Sequence, residues 1–248
     1  FHRATLKQRT MRRCFEGRRR ERSRSPRSQE PTSQELDYVP SLPSLLSDRS
    51  LASEGLPELH VLYASPLLQR LPQINIQGEL GLLQEALEKA KCPGLPIRVG
   101  IATTKSLAQL LTLSRAAGSV ILHLSVHVIQ SPEQGAGLVF ENGHGGAHFM
   151  FRQQLEELFW RQTDLPDGRK YRNEEEKEKA KLGGLSLVFL NGCSSESIAM
   201  LLVECGCRLV IATRGKILDV AATTFTQQFY YALGSQASVR DAFESAQK

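Results

Sequence analysis

From about residue 57 onward the chain alternates short β-rich runs with segments of helical period, and that alternation narrows the fold more than any other feature. LHVLYASPL (59–67) is a β-rich run stopped by Pro66, and INIQGELGLLQEALEKA (74–90) carries apolar residues at helical spacing. PIRVGIAT (96–103) reads as strand again. Thr104 leads into KSLAQLLTLSRA, where Leu107, Leu110, Leu111 and Leu113 make one apolar face and Gly118 ends the helix. SVILHLSVHV (119–128) is the third strand. GLVFENGHGGAHFM (137–150) reads as a hairpin turning on Asn142 and Gly143, followed by an amphipathic helix over 151–162. After a charged segment at 163–184, expected as an exposed insertion, come the strand LSLVFLN, a helix (196–205), the strand RLVIATRG (208–215) and helices over 217–233 and 238–247. This order predicts an α/β fold with an open, mostly parallel sheet and helices on both faces. In such sheets ligands sit beyond the carboxyl ends of the strands.

The first 56 residues do not share the pattern. Residues 1–31 hold 11 of the 31 Lys and Arg but 3 of the 26 acidic residues, a net +8 that leaves −3 on the remainder of this 248-residue chain. A stretch so rich in Arg, Ser and Pro buries too little apolar surface to offset its ordering entropy, so a disordered basic tail is expected over 1–56 and a folded domain over 57–248. As a working segment the tail reads as a nuclear-import or nucleic-acid-binding arm; otherwise it is a solvated linker. The chain starts at Phe1, which reads as the carboxyl-terminal part of a longer protein.

Composition excludes several classes. No apolar run reaches the ~20 residues of a membrane span, and the basic start lacks the apolar stretch of a signal peptide, so no membrane partner is expected. That leaves the cytosol or the nucleus. Five cysteines, an odd number in a reducing compartment, argue against a disulfide framework. Cys205 and Cys207 form a C-G-C pair with no second pair to complete a metal site, and they read as core and turn residues. The glycine patterns of nucleotide-binding loops are missing, so no cofactor is called for.

Chemistry concentrates at LSLVFLNGCSS (185–195), where a strand ends on Cys193 between a glycine and two serines. A thiol attacks only as thiolate, and an imidazole close in space both activates it and later protonates the leaving amine. His127 stands at the end of the third strand. If that strand and the cysteine strand are neighbours, both residues share one rim, and small residues around the thiol leave its approach open.

At this point VILHLSVHV, GLVFENGHGGAHF, LVFLNGCSS, RLVIATRGKILDVAATTFTQQFYYAL and the closing SVRDAFESA together resemble the CHAT peptidase domain, a relative of caspases and separases. The likeness runs from about residue 57 to the carboxyl end. It implies a caspase-like α/β fold and a cysteine endopeptidase with Cys193 as nucleophile and His127 as acid and base. It further implies an oxyanion hole from the backbone N–H groups of Cys193 and Val128, a protein or peptide substrate, and a regulatory helical-repeat module upstream. Asp219, just after the strand that follows the cysteine strand, would pair with a Lys or Arg preceding the cut; equally, it charges the start of its helix. The family shows glycine after its histidine where this chain has Val128, and a β-branch disfavours conformations that glycine permits. Two function classes follow: an active endopeptidase, or an inactive CHAT domain serving as an interaction scaffold.

Two other histidines compete. His144 has the His-Gly pair but falls on the expected hairpin turn, and His123 lies four residues before His127, ~13 Å back along an extended strand, where a core role is expected. The Gly-x-nucleophile-x-Gly elbow of esterases is broken by Asn191 and Ser195.

Overall fold

The computed structural model describes residues 4–8, 58–69, 71–92, 95–117, 120–161 and 185–248. The strands are β1 (Ala4–Gln8), β2 (Glu58–Tyr63), β3 (Ile97–Ile101), β4 (Val120–Ser125), β5 (His127–Ser131), β6 (Gly135–Glu141), β7 (Ala147–Phe151), β8 (Leu185–Asn191) and β9 (Leu209–Thr213). The helices are α1 (Ile76–Lys89), α2 (Thr104–Ala117), α3 (Arg152–Arg161), α4 (Glu196–Glu204), α5 (Asp219–Gly234) and α6 (Val239–Ala246).

Six strands form one sheet in the order β1-β9-β8-β4-β2-β3, parallel except for β1. The alternation of side chains along each strand feeds two cores. Leu122, Leu124, Val188, Leu190, Val210 and Ala212 point to the layer of α2, α3 and α4. Leu59, Val61, Ile121, Leu187, Phe189 and Ile211 point to the layer of α1, α5 and α6. Strands buried on both faces are what continuous apolar runs such as LVFL encode. On α2, Leu107, Leu110 and Leu111 are buried, but Leu113 is 57% exposed because its position falls off the three-to-four spacing of that stripe.

Two differences from the sequence reading, and one point on which it holds, bear on the site. The apolar run 119–128 is not one strand: β4 stops at Ser125, and after Val126 the chain enters β5 of a second, antiparallel sheet, β5-β6-β7. The hairpin predicted on Asn142 and Gly143 is β6–β7 of that sheet, with Gly143 at φ 84° and the Asn142 side chain accepting from the His144 and Gly146 amides. Thirdly, residues 4–8, assigned above to the disordered tail, pair antiparallel with β9, Ala4 opposite Thr213 through Gln8 opposite Leu209. Pairing across more than two hundred residues leaves no local trace in composition, which is why the basic stretch concealed it. Residues 9–57 and the charged insertion lie outside the described residues.

Candidate active site

Parallel pairing of β4 with β8 puts their last residues, Ser125 and Asn191, side by side. One residue further on, the Val126 amide donates to the Asn191 carbonyl at 3.3 Å, so the two chains leave the sheet together. His127 follows on one chain and Gly192-Cys193 on the other. The adjacency expected between the third strand and the cysteine strand is thus present, and it brings His127 and Cys193 to one rim.

The cysteine loop is held from behind by hydroxyls. Thr213, the last residue of β9, donates through Oγ1 to the Gly192 carbonyl at 2.6 Å, and its amide donates to the fully buried Ser195 Oγ at 3.0 Å. Ser194 turns with φ 56°, uncommon for a residue with a Cβ, and its amide is spent on the Gly215 carbonyl at 3.1 Å. The Cys193 amide has no hydrogen-bond partner among the described residues. The thiol is half-buried, and its S–H points to the Ile217 carbonyl at 3.8 Å rather than to an imidazole.

His127 is half-buried, and its Nε2 lies 2.7 Å from the Pro72 carbonyl. A carbonyl only accepts, so Nε2 carries the hydrogen and Nδ1 of the neutral ring holds the lone pair. Any proton taken from a thiol therefore goes to Nδ1. Val128 lies opposite Leu138 in the extended backbone of β5, where β-branched residues fit well. Among the described residues, the non-glycine positions with positive φ are Lys91, Ser194 and Gln236, so the conformations reserved for glycine are not required at 128.

Asp219 opens α5 and is exposed, two residues past the Ile217 carbonyl that faces the thiol. Ile217 and Ala222, on either side of it in the chain, line a small apolar pocket with Asn191, Thr213 and Phe225. His144 is exposed at the tip of the β6–β7 turn, and no hydrogen bond joins it to the cysteine loop among the described residues. Cys205 and Cys207 are buried; desolvation pushes the Cys207 thiol up to about 12, against the smaller pull of backbone hydrogen bonding at Leu209 and Val188.

Beneath the rim is a group of polar residues that the sequence reading treated singly or not at all. Glu79, in the first turn of α1 and 5% exposed, accepts from His123 Nε2 at 2.8 Å, from Ser125 Oγ at 2.7 Å and from Asn191 Nδ2. His123 is fully buried, stacks on Phe189 and meets the Tyr230 hydroxyl at 3.0 Å. Burial alone would raise the Glu79 carboxyl, but the attraction of His123 and the three hydrogen bonds outweigh it and hold the group below its usual range. Burial, then the Glu79 charge, keeps Tyr230 a phenol. The signal for Glu79 lay in its register: with Leu83, Ala86 and Leu87 it occupies the buried stripe of α1, where a carboxylate needs partners.

No helix among the described residues is long and apolar enough to cross a membrane. No curated protein matches the sequence significantly. Among solved structures, the Drosophila initiator caspase Dronc overlays with a TM-score of 0.42 at 9% identity, over 76% of this chain and 70% of that one. A pyridoxal kinase from Lactobacillus plantarum overlays with a TM-score of 0.26 at 11% identity, over 77% of this chain and 85% of the kinase. Both overlays are partial, whereas the family model of the CHAT domain matches residues 4–248, beginning at the first residue of β1. On that match, the chain belongs to the CHAT domain family.

Proposed function

We propose that this chain is a cysteine endopeptidase in which Cys193 is the nucleophile and His127 the acid and base. The observation that carries the reading is the shared rim: a partly exposed thiol and an imidazole whose Nε2 is already committed to Pro72 stand on the adjoining ends of paired strands. In the first step the Cys193 proton passes to His127 Nδ1 as sulfur bonds to the peptide carbonyl carbon, and the carbonyl electron pair moves onto oxygen. Collapse breaks the C–N bond, and Nδ1 returns its proton to the departing amine, leaving a thioester. Water then gives a proton to Nδ1, adds to the thioester and releases the acid, and the thiol is restored. The oxyanion is held by the Cys193 amide, which has no other partner among the described residues, together with that of Val128.

The substrate side chain before the cut is Lys or Arg. Its methylene stem suits the apolar pocket, and the exposed carboxylate of Asp219 lies between two pocket residues in the chain. Brief alkylation with iodoacetamide at neutral pH, followed by peptide mapping, tests the nucleophile: Cys193 is modified first, and faster labelling of Cys92 in folded protein overturns the assignment. A positional peptide library on the wild type and Asp219→Ala tests the pocket. Loss of the Lys/Arg preference in the variant is expected; cleavage chiefly after Asp, or an unchanged profile, rules the pocket out.

A further inference from the structure

Glu79 grips both sides of the rim. Its Oε2 takes the hydroxyl of Ser125, two residues before His127, and its Oε1 takes the amide of Asn191, two residues before Cys193. Ser125 and Asn191 are themselves register partners, the last paired residues of β4 and β8. A carboxylate on a separate helix therefore closes a bracket over the point where the histidine and cysteine chains leave the sheet. The third bond, from His123, orients the carboxylate; His123 is in turn fixed by Tyr230 and by stacking on Phe189. The His123 Nε2–H donates to Glu79, and Nδ1 meets the Tyr230 hydroxyl at 3.0 Å, so both ring nitrogens have a partner.

We propose that Glu79 is a positioning residue for catalysis: by holding Ser125 and Asn191 it fixes the spacing between the His127 segment and the Cys193 loop. The role rests on the dyad reading above. It follows because neither reacting group has a direct bond to the other in the resting chain, so their approach is set by the strand ends that carry them. A misplacement of about 1 Å from a change outside the reacting groups costs on the order of a hundredfold in rate. Gln at 79 keeps the shape but turns two acceptor oxygens into one acceptor and one donor, which cannot serve all three donors at once.

The experiment compares wild type, Glu79→Gln, Ser125→Ala and Tyr230→Phe. It measures the iodoacetamide rate of every thiol and the turnover of an Arg-containing fluorogenic peptide amide. Glu79→Gln is expected to lower kcat about 10- to 100-fold with KM within about twofold, and to slow Cys193 labelling in step. Ser125→Ala, which removes one arm only, lowers kcat several-fold and keeps the test open if Glu79→Gln does not fold. Tyr230→Phe cuts the far end of the network but leaves both arms and the stacking of His123 on Phe189, so kcat falls much less than in Glu79→Gln while stability falls. A purely structural role gives the opposite pattern: Cys205 and Cys207 label faster, Cys193 does not slow, and Tyr230→Phe loses as much turnover as Glu79→Gln. That pattern overturns the proposal. If Cys193 is not the fast thiol in wild type, the dyad falls and this role with it; if it is, and Glu79→Gln leaves its rate and kcat unchanged, only the positioning role falls.

Discussion

The side chain of Val128 leans on Gly192: a Cβ built at 192 would lie 2.9 Å from Val128 Cγ2 and 2.7 Å from the Val126 carbonyl oxygen. Glycine is needed there for closeness of approach rather than for an unusual backbone, and the residue before the nucleophile is thereby locked to both neighbours of His127. Gly192→Ala must push the two chains apart. It is expected to cost about 1–3 kcal/mol and to slow Cys193 alkylation. Thermal melts and labelling rates measured together check both parts; a stable variant with unchanged labelling would show that the contact does not set the geometry of the rim.

The same contact bears on the valine that stands where the family has glycine. In extended β5 the valine backbone is at ease, and its side chain packs on the core formed with Leu138 and Phe140. Val128→Gly therefore loses buried surface and gains unfolded-state freedom, at about 2 kcal/mol, with no rise in turnover. Gly192→Ala remains destabilising in the Val128→Gly background, because the Val126 carbonyl still blocks the new methyl. A double-mutant cycle by urea melts measures how much of the clash belongs to the valine. Increased activity in Val128→Gly would mean that the valine impairs catalysis after all.

Much of this site could be read from residue order alone, and the missing parts have distinct causes. Strand and helix periods located every element from β2 to α6 except β5, and the apolar runs at 120–124 and 185–190 correctly implied neighbours buried on both faces. What the run 119–128 could not reveal was the exit at Val126, because a residue leaving one sheet for another keeps the same extended backbone and apolar neighbours. His123 was assignable to the core, yet its partners come from 44 and 107 residues away, and no local pattern encodes them. Glu79 alone left a trace, as a charge on an apolar stripe.

That charge makes stability depend on pH in a defined direction. The Glu79 carboxyl titrates below its ordinary 4.5 in the folded chain, so its contribution is complete above the unfolded value and lost as pH falls through the folded one. Wild type should exceed Glu79→Gln by about 3 kcal/mol near pH 7, since removing one member of a buried, hydrogen-bonded pair strands the others. The gap should narrow steadily below about pH 4 as the wild-type carboxylate is protonated. Urea denaturation of both proteins across that range is the measurement. A gap that stays constant to pH 3 would mean that Glu79 is neutral in the folded chain.

The final prediction concerns the start of the chain. β1 forms the outer edge of the main sheet and covers β9, whose last residue, Thr213, pins the cysteine loop through Gly192 and Ser195. Without β1, the free side of β9 loses its antiparallel partner and becomes an unpaired edge, open to pairing with other chains. Removing residues 1–10 should therefore lower the melting temperature by several degrees, at about 2–4 °C per kcal/mol for a domain of this size, and promote association at high concentration. Because β9 carries Thr213, the deletion should also loosen the cysteine loop and change the Cys193 alkylation rate. Excising residues 12–50 instead, which keeps β1, should leave both the melt and the labelling rate near wild type. Light scattering, thermal melts and thiol mapping on the two deletions separate the contribution of five paired residues from that of the basic stretch behind them; equal losses in both would mean that the edge strand is not what the sheet depends on.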